Sequence, residues 1–301
     1  VVAALLDGKA IAGRIREELR EQVERLRTGG VTPGLGVLLV GDNPASLLYV
    51  GAKTRACDEV GIGHETRRLP REATTGEVLR EVGRLNADPA VHGILVQLPL
   101  PPHVSTRDVL RSVDPGKDVD GFHPENAGLL VQNQPRFVPC TPAGIMEMLE
   151  RSGVAVASRR ACVVGRSDIV GKPLALLLLH ANATVTICHS KTPDLPRVTS
   201  EAELLFVAAG RPGLVRAEHV REGAVVVDVG SHTILAEADA VDLLPPGRLA
   251  SFRKTGQAVV GDVHAPSVLP KASLLTPVPG GVGPMTIALL LKNTVRAATL
   301  A

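Results

Sequence analysis

The chain has 301 residues, 45% of them hydrophobic and 21% charged, with 33 basic against 31 acidic side chains. That composition belongs to a folded globular chain with room for two domains rather than to a disordered one. The near-neutral balance gives no bias toward nucleic acid or a membrane surface, so neither is expected as a partner. The opening Val1–Asp7 turns polar too soon for a secretory leader, and the longest apolar runs fall short of a membrane span. Four cysteines, Cys57, Cys140, Cys162 and Cys188, show no C-x-x-C spacing, and three of them lie in apolar surroundings that suit reduced core thiols in a cytoplasmic protein.

In chain order, Ile11, Ile15, Leu19, Val23 and Leu26 fall at helical spacing across Gly8–Arg27. Leu35–Val40 is a predicted strand. Ser46–Val60 reads as a helix stopped by Gly61, and His64–Leu69 as a short strand. Thr74 and Glu77 form a capping box for a helix reaching about Leu85, and Val91–Leu98 is a further strand. Strand and helix alternate, which makes the first domain α/β. Asp114–Phe122 reads as a loop, and Thr141–Pro142 opens a helix to Arg151. The domain boundary is placed there.

Strands are then predicted at 161–164, 183–188, 203–208 and 224–229, with 236–256 as a polar surface excursion. Leu275–Pro284 reads as a rigid turn before a last helix, Met285–Ala298. The strand ending at Val164 meets a polar turn and then a Leu-rich helix. Such a turn presents free backbone N–H groups to a phosphate, although a plain βα turn has the same outline. Its glycines, Gly165 and Gly171, do not match G-x-G-x-x-G. Nor is it a P-loop, because Pro173 follows Lys172. The next strand ends in Cys188-His189-Ser190-Lys191 with no acid to grip ribose hydroxyls. With Arg166 in the turn, this favours a 2′-phosphate and therefore NADP.

Tyr49 and Lys53 lie one turn apart on a single helix; a core tyrosine beside a surface lysine has the same spacing. Gln97 sits at the carboxyl end of an apolar strand, where either a ligand or backbone groups would satisfy its amide. Asp118 and Asp120 offer two carboxylates without an evident third ligand, so no metal is expected. One acid holding an amino-heterocycle, or a solvated loop, remains open. Pro277–Pro284 packs prolines and glycines densely enough to fix a backbone along a flat ligand, or simply to make a turn.

Taken together, Val40–Ser46, Tyr49-Val-x-x-Lys53, Gly93–Pro101, Lys117–His123, Pro139–Pro142, Val164–Ser167, Ile169–Gly171 and Thr276–Thr286 form an ordered set. They span nearly the whole chain, which resembles the bifunctional methylenetetrahydrofolate dehydrogenase/methenyltetrahydrofolate cyclohydrolase family. The resemblance implies two α/β domains with a cleft between them, the second a Rossmann-type NADP-binding domain with a parallel sheet. Residues 1–142 and 280–301 would form the folate domain and 143–279 the NADP domain. It implies a tetrahydrofolate-type substrate, NADP as cofactor and a homodimer. Lys53 would be the cyclohydrolase residue, with Tyr49 and Gln97 positioning folate and water and Asp120 on the pterin ring. Val96, Leu98, Pro279, Gly280, Gly281, Val282 and Gly283 would line the folate. Gly165, Arg166, Ser167, Ser190 and Ser231 would contact the cofactor. The chain departs from the family where Arg55 replaces a second lysine, where Gly230-Ser231-His232 replaces Gly-Ile-Asn, and along 236–256. No fused ligase domain is expected. The residues around Gly165 alone would also suit a dehydrogenase-only folate enzyme, a non-folate NADP dehydrogenase or an NADP sensor. Only a folate enzyme uses the Tyr49, Lys53, Gln97 and Asp120 set.

Overall fold

A computed structural model describes residues 3–300. The chain runs through β1 (Ala4–Leu5), α1 (Gly8–Thr28), β2 (Gly34–Val40), α2 (Pro44–Val60), β3 (Gly63–Leu69), α3 (Thr75–Ala87), β4 (Gly93–Val96), α4 (Thr106–Ser112), α5 (Pro124–Val131) and α6 (Cys140–Arg151). It continues through β5 (Arg160–Val164), α7 (Gly171–His180), β6 (Thr184–Cys188), α8 (Leu195–Thr199), β7 (Leu204–Val207) and β8 (Val225–Asp228). The remainder is β9 (His232–Ile234), α9 (Glu237–Leu243), α10 (Pro246–Thr255), β10 (Ala258–Val260), α11 (Ala265–Val268), β11 (Leu274–Leu275) and α12 (Val282–Leu300). It divides into two compact units, one of Val1–Ile11 with Thr141–Met285, the other of Ala12–Cys140 with Thr286–Ala301.

In the unit of 12–140 and 286–301, a parallel sheet has the order β3-β2-β4. Every residue of β2 is buried, as a central parallel strand requires. Asn43 caps α2 by accepting from the Ala45 and Ser46 N–H groups, and Thr74 with Glu77 caps α3 reciprocally. Val78, Val82 and Leu85 of α3 pack with Leu38, Ile94 and Val109 in one apolar core. The strand expected over 91–98 is shorter, and Ile94 pairs beyond it with Asp118 in an isolated bridge. The segment 114–122 is a loop, as read, and touches the sheet through this single bridge.

In the other unit, six parallel strands have the order β1-β11-β8-β7-β5-β6. The four strands expected from sequence lie side by side as β8-β7-β5-β6, with β6 at the edge. β11 and β1 add two residues each, too few to leave a periodic signal. Ala4 pairs with Leu274, so the chain start lies on this sheet rather than with the rest of 1–142. The core consists of strand valines and leucines with Cys162 and Cys188, whose sulfurs are 3.6 Å apart. All four cysteines are buried and free.

The excursion at 236–256 is not irregular. It folds as α9 and α10 beside the antiparallel pair β9–β10, around its own cluster of Ile234, Ala240, Leu244, Phe252 and Val260. Its apolar residues are sparse, which hid the helices from a periodicity reading. The last helix likewise starts three residues earlier than expected, at Val282.

Candidate active site

On α2, Tyr49 is 43% exposed while Lys53 is half-buried, the reverse of a core tyrosine beside a surface lysine. Lys53 Nζ donates to Gln97 Oε1 over 3.1 Å. Gln97 is buried at the end of β4, and its Nε2 donates to Leu98 O over 2.7 Å. That second bond fixes the amide so that its oxygen faces the lysine. Neither residue is a neighbour in sequence; the parallel pairing of β2 with β4 brings the end of β4 beside the helix that follows β2. Arg55 is exposed.

Asp118 and Asp120 separate into different roles. Asp118 is buried and accepts from Asn126 Nδ2 at 2.8 Å and from the His123 N–H at 2.7 Å, so it holds its own loop together. Asp120 is half-buried. Burial pushes its carboxyl up to about 6, against the pull of the Lys53 charge and a hydrogen bond from Cys140, with Asp118 adding to the rise. Cys140, fully enclosed, is held as the neutral thiol chiefly by its burial and then by the Asp120 charge. Asn293 on α12 donates to Val119 O at 2.8 Å and Val138 O at 3.2 Å, bracketing Asp120 from behind. Sequence reasoning did not single out Cys140, Asn126 or Asn293. Cys140 lay within a motif already noted; a polar residue on an apolar helix was the available signal for Asn293.

In the unit carrying the six-stranded sheet, β5 ends at Gly165, which has φ 132. A Cβ there would lie 2.2 Å from Ala208 O, and one at Gly171 would lie 2.3 Å from Gly165 O. Only glycines let this turn lie against the end of β7. The chain passes from β5 to β6 on one side and to β7 on the other, so the turn stands at the switch point of the sheet. Ser167 Oγ accepts from the Val170 and Gly171 N–H groups at 3.2 Å each, capping α7. Val164 pairs with Cys188, placing Arg166 and Ser190 each two residues beyond one register step. Both are exposed, and Arg166 faces no carboxylate within ion-pair distance among the described residues. The cradle, a free guanidinium and the lack of an acid at 188–191 fit a dinucleotide bearing an extra phosphate.

In the same unit, the turn at Pro279, Gly280, Gly281, Val282 and Gly283 is closed by Gly281 N–H to Pro277 O at 2.8 Å and by Lys9 N–H to Gly280 O at 2.8 Å. Ser231 is exposed between Gly230 and β9. Among the described residues, no group of three or more His, Cys, Asp or Glu side chains could hold a metal ion, and no helix is long and apolar enough to cross a membrane.

A parallel dinucleotide-binding sheet on one unit and a lysine–amide–carboxylate constellation on the other define an NAD(P)-dependent enzyme with a second chemical site. Residues 6–120 match the family model for the tetrahydrofolate dehydrogenase/cyclohydrolase catalytic domain, and residues 139–301 match its NAD(P)-binding domain. The chain is 50% identical over 296 residues to the bifunctional protein FolD of Solibacter usitatus, covering 98% of this chain and 97% of that one. The FolD of Koribacter versatilis is 51% identical over 302 residues, covering 100% and 98%. Among solved structures, the bifunctional FolD methylenetetrahydrofolate dehydrogenase/cyclohydrolase of Campylobacter jejuni has a TM-score of 0.90 at 45% identity, covering 99% of each chain. The Trypanosoma brucei enzyme, solved with NADP and an inhibitor, has a TM-score of 0.90 at 39% identity, covering 100% and 98%. This chain belongs to the tetrahydrofolate dehydrogenase/cyclohydrolase family.

Proposed function

We infer that this protein oxidises 5,10-methylenetetrahydrofolate to 5,10-methenyltetrahydrofolate with NADP and hydrolyses the product to 10-formyltetrahydrofolate. The observation that carries the reading is the Lys53–Gln97 hydrogen bond beside Asp120, since it supplies a proton acceptor, a fixed neutral dipole and an acid on one surface.

NADP, when bound, would supply the hydride acceptor for the folate methylene carbon. The protein's part in that step is alignment: Gly165 and Gly171 admit the pyrophosphate, Arg166 and Ser190 take the 2′-phosphate, and Ser231 supports the nicotinamide side. Ser167 orders the turn by capping α7. Hydride transfer releases no proton, so this step requires no general base. Asp120 receives N–H groups of the pterin, Tyr49 and Gln97 position the folate and the water, and Val96, Leu98 and the turn at 279–283 line the folate.

Water then adds to the methenyl cation, and Lys53 takes its proton. Gln97 orients the amine without adding charge. We also propose a homodimer, for which the exposed edge strand β3 offers unpaired backbone groups. A reducing, cytoplasmic setting suits four buried free thiols. The test is to mix protein, methylenetetrahydrofolate and NADP and follow absorbance for reduced cofactor and methenyl product. Transient methenyl that decays faster than without protein is expected; reduced cofactor with methenyl that only accumulates would remove the hydrolase half.

A further inference from the structure

Two buried carboxylates hold the chain on both sides of Ser231, one at the Gly230 N–H and the other at the His232 ring. Asp228 Oδ1 accepts from the Gly230 N–H at 2.9 Å and the Asp262 N–H at 2.8 Å, and Oδ2 accepts from the Val263 N–H at 3.0 Å. The Asp262 side chain is fully buried. It accepts from the N–H groups of Ala209 at 2.7 Å, Gly210 at 2.9 Å and Arg211 at 2.8 Å, and from His232 Nε2 at 2.7 Å. Thr276 joins the same network, accepting the Asp228 N–H at 2.7 Å.

The glycines at the centre of this network exist for the carboxylates. A Cβ on Gly261 would lie 1.8 Å from Asp228 Oδ2, and one on Gly230 would lie 2.6 Å from Asp262 Oδ1. The backbone therefore closes directly onto both acids. The segments so joined, 208–211 after β7 and 229–232 after β8, lie at carboxyl strand ends of the parallel sheet, where such sheets take their ligands. Of the side chains that bond Asp262, His232 is the one that reaches solvent, with 23% of its side chain exposed.

We propose that His232 is a positioning residue for the nicotinamide end of NADP, acting through Asp262 to hold Ser231 and the loop after β7 in one arrangement. Gly230 is pinned on one side of Ser231 and His232 on the other, so the intervening backbone has little freedom left. The inference rests on the NADP-dependent reading above. The imidazole's contribution is an N–H donor at Nε2, and a glutamine places its Nε2 at nearly the same reach from the backbone.

The experiment compares His232→Ala and His232→Gln with the parent. NADP affinity is read by calorimetry, the dehydrogenase by KM for each substrate, and the cyclohydrolase on supplied methenyltetrahydrofolate. Loss of one charge-assisted hydrogen bond predicts that His232→Ala raises KM and Kd for NADP about tenfold. KM for the folate and the cyclohydrolase rate should not change, and His232→Gln should recover most of the loss. An unchanged NADP affinity in His232→Ala would overturn the proposal. So would a His232→Gln as weak as the alanine variant, or a parallel fall of both activities, which marks a merely structural role. If the parent binds NADP but does not oxidise the folate, the functional reading fails while the calorimetric comparison still decides the role of His232.

Discussion

Lys53 and Gln97, 44 positions apart, share a hydrogen bond of 3.1 Å whose acceptor is itself locked by a bond to the Leu98 carbonyl. The lysine is held by a group without charge. Its amine is therefore oriented by a fixed neutral dipole, with the Asp120 carboxyl as the charged group nearby.

Lys53→Gln keeps length and a polar tip but removes the amine. General base catalysis supplies about 10²–10⁴-fold, and the cyclohydrolase should fall by that order. The dehydrogenase, which asks only for alignment, should fall far less, and methenyltetrahydrofolate should accumulate in the coupled reaction. Separate assays of the two steps check this. A parallel fall in both would make Lys53 a binding residue only. Arg55 cannot substitute, because a guanidinium stays protonated at working pH.

The Asp120 carboxyl, pushed up to about 6, gives a second test. Its ionised form is the better acceptor for pterin N–H groups, and that form is lost as pH falls through about 6. KM for the folate should accordingly rise from pH 7 to pH 5 in both activities. Asp120→Asn should have a higher KM at neutral pH and a flatter profile. A parent profile as flat as the variant's would return Asp120 to the role of a loop acid.

Arg166→Ala should weaken NADP and leave NAD nearly unchanged. A hydrogen bond to a charged group is worth about 1.5–3 kcal/mol, so the NADP preference should drop by about tenfold or more. Binding measured with each dinucleotide decides it; equal losses for both would remove the 2′-phosphate assignment.

Asn293 is buried and its amide bonds two carbonyls, that of Val119, next to Asp120 in sequence, and that of Val138. Asn293→Leu leaves those carbonyls unpaired, at about 1–3 kcal/mol each. A lower denaturation midpoint is expected, together with a raised folate KM and unchanged NADP affinity. Chemical denaturation and steady-state kinetics would show this. A variant as stable as the parent would mean that water replaces the amide.

Strands such as Val225–Asp228 and Leu204–Val207 were legible in the sequence because parallel central strands are continuous apolar runs. The capping box at Thr74 and the stop at Gly61 were legible because each is local chemistry. What escaped was non-local or thinly marked. Ala4–Leu5 is too short to show a period, and its partner lies 270 positions away in register. Phe252 and Leu244 organise α9 and α10 from a segment that is otherwise polar. At the site, Lys53, Gln97 and Asp120 were each visible as unusual residues. Their meeting, and the thiol of Cys140 beneath Asp120, depend on register and burial that spacing does not encode.

The pairing of β1 with β11 sets an order of assembly during synthesis. Ala4 leaves the ribosome long before its sheet partner Leu274. The other unit likewise draws on Thr286–Ala301. Neither unit can close from a continuous early stretch of chain, and long-range pairing of this kind is slow to form. A nascent chain stalled before residue 274 would hold a half-edged sheet, and no single cut in the gene would release either unit as a contiguous folding fragment.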